Sequence, residues 1–235
     1  MKRFIAVMTA LVAWGHAAMP VAWGQTLSEF SGQGSPELKV GGDVPFVPEG
    51  KPLQGLVITL NPGWGGIGHQ SGYVISARGV QSRVVEGDLN MLVAAQLRHH
   101  LIDAGAKVHM TRWDDRRVAH ENQPSREEEI GARVRKAVDT RSHLFISLHH
   151  TDGDLSGSRV TVLVWPKDSQ GSEQPIERGL GECLATEIEK RVYHTQSAQT
   201  VEDKNLVVAS CDIPSAAIQF GCLQNREFDK WVSQW

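Results

Sequence analysis

Leu56-Val57-Ile58-Thr59-Leu60 runs straight into Asn61-Pro62-Gly63-Trp64-Gly65-Gly66, and this junction decides how the chain folds. A nearly unbroken apolar run ended by a Gly-rich loop is the pattern of a strand buried on both faces. The loop reaches Gly79. Leu89, Leu92, Val93, Leu97 and Leu101 then recur at helical spacing, with Gly105 as a stop, which places a helix over Val85 to Ala104. Further on, Lys107 to Thr111 reads as a strand. Arg126 to Val138 reads as a helix with Ile130, Val134 and Val138 on one side, and Leu144 to Leu148 as a third buried strand. Arg159 to Val164 reads as a fourth. After it come a helix carrying Ile176, Leu180, Leu184 and Ile188, short strands at Val207-Val208 and Ala216 to Phe220, and a closing helix over Glu227 to Val232.

Alternating strands and helices imply a single α/β domain with a mostly parallel or mixed twisted sheet and helices on both faces. Sites in such sheets gather where the strands end. The residues after Leu60, after Leu148 and near Phe220 are therefore the ones to weigh.

Gly63 to Gly68 satisfies G-x-G-x-x-G, but a dinucleotide fingerprint must open a helix at once, whereas His69-Gln70-Ser71-Gly72 prolongs the loop. The third strand ends in His149-His150, with Asp152 and Asp154 close behind. Strand-end imidazoles and nearby carboxylates suit a metal, and they equally suit an ordinary polar loop. Glu86 starts the first helix, where the exposed amides and the helix dipole favour an acid whether or not it has another task.

Taken in order, these segments resemble the zinc-dependent N-acetylmuramoyl-L-alanine amidases, which cleave the glycan-to-peptide bond of peptidoglycan. The resemblance runs from Leu56 to Val232. Asn61 to Gly66 is similar to the family's D-P-G-H-G-G, Glu86-Gly87-Asp88-Leu89-Asn90 to its E-K-D-x-N, and Thr111-Arg112 with Asp114 and Asp115 to its T-R-x-x-D. Arg133, Ala137 and Leu144 to His149 follow the approach to its S-I-H-A-N strand. Pro214 and Ile218 to Asn225 resemble P-x-x-L-V-E-x-G-F-L-S-N.

The resemblance implies zinc held by His, Glu and His, with a later Glu moving protons. Glu86 and His149 carry over as the second and third ligands. The first ligand position holds Trp64, and the catalytic Glu position holds Gln219. An indole offers only an N–H donor, so it cannot ligate zinc, and a carboxamide cannot shuttle a proton. The two replacements also fit each other, because without a metal a second carboxylate beside Glu86 would be repelled.

The expectation is an inactive amidase-like pocket with no resident cofactor. Trp64, His150 and Gln219 would line a groove for peptidoglycan or a muropeptide, or the domain would bind a cell-wall hydrolase. Trp64 would either stack on sugar or fill the vacated metal cavity. The rival is an active zinc amidase with a rearranged ligand set, in which His69 or His150 joins Glu86 and His149.

The chain has 235 residues, 40% of them hydrophobic and 22% charged, with a formal charge of −3. That balance excludes coiled-coil, collagen-like and polytopic membrane classes and offers no basic field for nucleic acid. Lys2 and Arg3 precede an apolar run from Phe4 to Val12, and Ala22-Trp23-Gly24 offers a cleavage site, so residues 1–24 read as an export signal to the periplasm or the exterior. A retained anchor is the competing reading, against which Gly15, His16 and Pro20 cut the run short of the roughly 20 apolar residues a span needs. Residues 25–54 are a Gly/Pro-rich linker or strap, and 55–235 form the domain. Cys183, Cys211 and Cys222 match no zinc or redox spacing and read as packed core thiols, with a Cys211–Cys222 bridge as the alternative.

Overall fold

The computed structural model describes residues 51–65, 77–119, 125–151, 159–165, 175–191, 197–202 and 211–233. The export signal, nearly all of the linker, His69, Asp152, Asp154 and Val207-Val208 lie outside the described residues.

Six strands form one sheet: β1 (Val57–Pro62), β2 (Lys107–Met110), β3 (Leu144–Thr151), β4 (Arg159–Val164), β5 (Ser197–Glu202) and β6 (Ser215–Cys222). Their order is β2-β1-β3-β6-β4-β5. The first four in that order run parallel, β4 runs antiparallel to β6, and β5 follows β4 in parallel, so the sheet is mixed.

Four helices complete the described fold: α1 (Glu86–Asp103), α2 (Arg126–Asp139), α3 (Pro175–Arg191) and α4 (Arg226–Val232). On one face Ile58, Leu60, Ile146, Leu148 and Ile218 meet Met91, Leu97 and Leu101 of α1 and Leu180, Leu184 and Ile188 of α3 in the main core. On the other, Phe145 packs under Ile130, Val134 and Ala137 of α2. Burial of both faces is what the apolar strand runs require. Gly105 ends α1 with φ +98, as its position after the periodic run predicts.

Some details differ from the sequence reading. Val138 and Ile176 are solvent-exposed, because α2 turns Ala137 inward instead and α3 starts its buried stripe at Leu180. Strand β5, Ser-Ala-Gln-Thr-Val-Glu, has no apolar run to announce it, being an edge strand. Strand β3 runs on to Thr151, so His149 and His150, expected at the strand end, lie within the sheet. The three cysteines are free thiols; Cys222 is buried, and Cys183 and Cys211 pack against the cores.

Candidate functional site

At the C-terminal ends of β1, β3 and β6, the chain brings Trp64, Glu86, His149 and Gln219 together. Strand pairing supplies the first constraint: His149 is in register with Gln219 and Ser147 with Asn61, so all four side chains share one face of the sheet. Helix α1 supplies the second. Its first residue, Glu86, is 2% exposed and does not cap its own helix. The Glu86 carboxylate turns to the sheet instead, accepting the His150 backbone N–H at 3.0 Å, Asn90 Nδ2 at 3.4 Å and the Ala77 N–H at 3.4 Å. The Trp64 side chain also favours the charged form of Glu86.

Trp64 adopts φ +59, a left-handed conformation that is strained for a bulky residue. Two buried arginines hold the turn in that shape. Arg133 donates to Asn61 Oδ1 at 2.9 Å, the Pro62 carbonyl at 2.9 Å and the Trp64 carbonyl at 2.7 Å, while its other side pairs with Glu129 at 2.7 Å. Arg112 donates to the carbonyls of Pro62 and Gly63, each at 2.9 Å, and of Gly87 at 2.7 Å, tying the turn to α1. Burial, aided by the charge of Arg133, pushes the Arg112 pKa down to about 10, which leaves it charged at neutral pH.

Desolvation governs the other titratable groups. Burial pushes Glu86 up to about 7 against the pull of its N–H donors. Burial, reinforced by the charges of Arg133, Arg112 and Arg126, drives His149 down to about 3. His150 falls to about 3 from burial and the neighbouring imidazole. Both imidazoles are neutral at pH 7, so the 3.8 Å approach of His149 Nδ1 to Glu86 Oε1 is a neutral ring facing a carboxyl group rather than an ion pair.

A family profile described as N-acetylmuramoyl-L-alanine amidase (Amidase_3) matches residues 58–234. The chain belongs to this amidase family. It is 25% identical to the probable cell wall amidase LytH of Staphylococcus epidermidis over 182 residues, covering 77% of this chain and 53% of that protein. It is 26% identical to the Staphylococcus aureus protein of the same name over 181 residues, covering 75% and 51%. The chain thus spans about half the length of the curated relatives it matches.

Among solved structures, the CwlD amidase of Clostridioides difficile, determined in complex with the GerS lipoprotein, superposes with a TM-score of 0.61 at 22% identity, covering 76% of this chain and 90% of that one. The Ami1 amidase of Mycobacterium smegmatis gives 0.58 at 17% identity, covering 78% and 89%. At these identities the superpositions establish the fold.

Zinc in a hydrolase needs three protein ligands and an open position. Among the described residues, no three His, Cys, Asp or Glu side chains are grouped to hold a metal ion. Glu86 and His149 supply two donors, and the Trp64 indole has no lone pair to give, so these side chains do not by themselves fit the ion. His150 does not complete the set: its imidazole is 5% exposed, bonded through Nδ1 to Asn90 Oδ1 at 2.8 Å and packed against Phe220 and Phe228. Gln219 stands beside His149, half-buried, as its family position implies.

The sequence reading gave no role to Asn61, Ser147 or Asn90, or to the two arginine clamps. A signal was present, however. Thr59, Asn61 and Ser147 are polar interruptions in apolar strand runs, and a buried polar side chain requires a partner.

Proposed function

We propose that this amidase-family domain recognises peptidoglycan without hydrolysing it. The observation that carries the reading is what surrounds Glu86: Trp64 stands where the family places a metal-binding imidazole, and the remaining carboxylate is met by the N–H groups of His150, Ala77 and Asn90. Donors satisfy Glu86 where a cation otherwise would, and the amide of Gln219 next to His149 provides neither an acid nor a base. Half-buried, Trp64 fits a cavity-filling role better than a free stacking platform.

Peptidoglycan as the ligand and an exported location rest on the family, the cell wall amidase relatives and the N-terminal signal pattern. No described helix is long and apolar enough to cross a membrane. Three measurements on the purified chain test the proposal together: zinc stoichiometry, peptide release from sacculi, and co-sedimentation with sacculi. Co-sedimentation without release and without stoichiometric zinc is the expected result. Stoichiometric zinc with multiple turnovers overturns it in favour of a rearranged ligand set that draws on His69. Absence of both zinc and sacculus binding overturns it in favour of a domain that acts only on a protein partner, such as a cell-wall hydrolase.

A further inference from the structure

Beneath the pocket runs a chain of buried polar groups whose proton positions follow from the partners at its ends. Arg133 has only donors to give, and it donates through Nη1 to Asn61 Oδ1 at 2.9 Å. Thr111 Oγ1 donates to the same oxygen at 2.7 Å. The Asn61 amide is thereby oriented, and its Nδ2 must be the group that meets Ser147 Oγ at 2.8 Å. Ser147 Oγ accepts that N–H, and among the described residues its other side-chain partner is His149 Nε2 at 2.8 Å, to which its own proton goes. A neutral imidazole whose Nε2 accepts carries its proton on Nδ1. That nitrogen is the one turned toward Glu86, at 3.8 Å.

We infer that Asn61, acting through Ser147, fixes the tautomer of His149 so that the nitrogen facing Glu86 and the pocket is an N–H donor rather than a lone pair. Asn61 is thus a positioning residue. At 3.8 Å the Nδ1–H is beyond hydrogen-bonding distance of Glu86, so it remains available to an incoming oxygen acceptor, a carbonyl or a carboxylate, and it repels a cation. This deepens the proposed function and rests on it: a pocket lined by N–H groups is built to grip an oxygen, not to hold a metal.

A carboxylate at position 61 reverses the relay. It has no proton to give, so the Ser147 hydroxyl would donate to it, Ser147 Oγ would accept from His149 Nε2–H, and Nδ1 would present its lone pair. Arg133 and Thr111 would still donate to such a carboxylate.

Nitrogen NMR of the full chain labelled with 15N-histidine tests this at pH 7 after chelator treatment, with His150, whose Nδ1 faces Asn90 Oδ1, as internal reference. The expected spectrum shows His149 neutral, with Nδ1 protonated and Nε2 bare. A protonated Nε2 overturns the inference. Asn61→Asp is expected to move the proton to Nε2 without altering His150, and an unchanged His149 overturns the inference. Should Asn61→Asp fail to fold, Ser147→Ala removes the donor instead. The His149 Nε2 resonance should then shift while that of His150 stays, and an unmoved Nε2 overturns the relay. Adding zinc to the untreated chain separates the two readings: a metal-shifted His149 sinks the non-hydrolytic proposal, whereas the tautomer of the chelated form decides the relay either way.

Discussion

Gly63→Ala is the sharpest test of how tightly the pocket is built. A Cβ at this position would lie 2.2 Å from His149 Cε1, 2.3 Å from Nδ1 and 2.9 Å from Nε2. Ordinary carbon contacts sit at about 3.5–4.0 Å, so the imidazole must retreat by roughly 1 Å or more. It cannot do so and keep its bond to Ser147 at 2.8 Å. Forcing a methyl into packed surroundings costs about 1–3 kcal/mol, and the lost hydrogen bond about 1 kcal/mol more. Stiffening of the unfolded chain offsets about 0.4–1 kcal/mol. The net loss is about 1–3.6 kcal/mol, or roughly 2–14 °C in Tm for a chain of this size.

Urea unfolding of Gly63→Ala, His149→Ala and the double variant isolates the cause. With the ring removed, the added methyl has nothing to strike, so Gly63→Ala should become nearly neutral in the His149→Ala background. If the two costs simply add, or if Gly63→Ala alone leaves stability unchanged, then His149 does not stand over Gly63 and the pocket geometry is wrong.

Trp64→Phe keeps an aromatic ring but deletes the N–H that favours the charged form of Glu86, and should raise the Glu86 pKa further in a carboxyl titration followed by NMR. Asp229 on α4 accepts Gln81 N–H at 2.6 Å and Ser82 N–H at 3.1 Å, together with the Ser82 hydroxyl, and so anchors the turn that leads into α1. Asp229→Ala should cost about 2–4 kcal/mol and remove hydrogen-exchange protection at those two amides, which native-state exchange measures directly. Burial raises the Glu129 pKa, but the charge of Arg133 and the N–H groups of Ala119 and Val118 outweigh it and hold the carboxyl below its ordinary value. The stability this contributes is complete above the unfolded value of 4.5 and disappears as pH falls through the lower folded value. Glu129→Gln should therefore flatten the acid limb of stability as pH falls below about 4.5, in denaturant titrations across that limb. Adding Asn61→Asp to the pair Trp64→His and Gln219→Glu should tighten zinc binding by about 10- to 100-fold in chelator competition, since the His149 lone pair must also be turned outward.

The layers of this fold were legible because burial on both faces leaves long apolar runs, as in Leu144 to Leu148, and helices leave stripes such as Leu89 to Leu101. Where burial is one-sided or slight, the signal fades: β5 alternates polar residues along the sheet edge, and nothing in Ser197 to Glu202 separates it from a loop. The order of motifs points to Trp64, Glu86, His149 and Gln219 as a group, because it places them near the ends of strands. It says nothing of their support. Which of several carbonyls Arg112 and Arg133 would grip depends on how β1, α1 and α2 converge, and residues 50 apart or more in the chain meet there. The burial of His150 was likewise hidden, because adjacent strand residues face opposite sides and only the position of α4 with Phe228 closes the pocket around it.

Glu86 poses a physical question that the other replacements answer. A carboxylate left buried when its cation is gone should be costly, and a change to Gln would remove that cost. Yet this position keeps its acid while Asn61 and Gln219 hold amides where the resemblance expects carboxylates. The difference lies in the donors each place can gather. Glu86 receives the N–H groups of His150 and Ala77 along with Asn90 Nδ2, a set directed at an acceptor from several sides. A carboxamide there would have to point an NH₂ at one of those donors and leave both unsatisfied. At position 61, by contrast, the nitrogen of the amide finds an acceptor in Ser147, so neutrality costs nothing and reverses the relay to His149. Glu86 is thus retained as the acceptor around which the N–H groups are organised, a role that needs no metal. On this argument Glu86→Gln should destabilise the fold more than Asn61→Asp does. The reverse order in matched urea titrations would mean that Glu86 is kept for a cation after all.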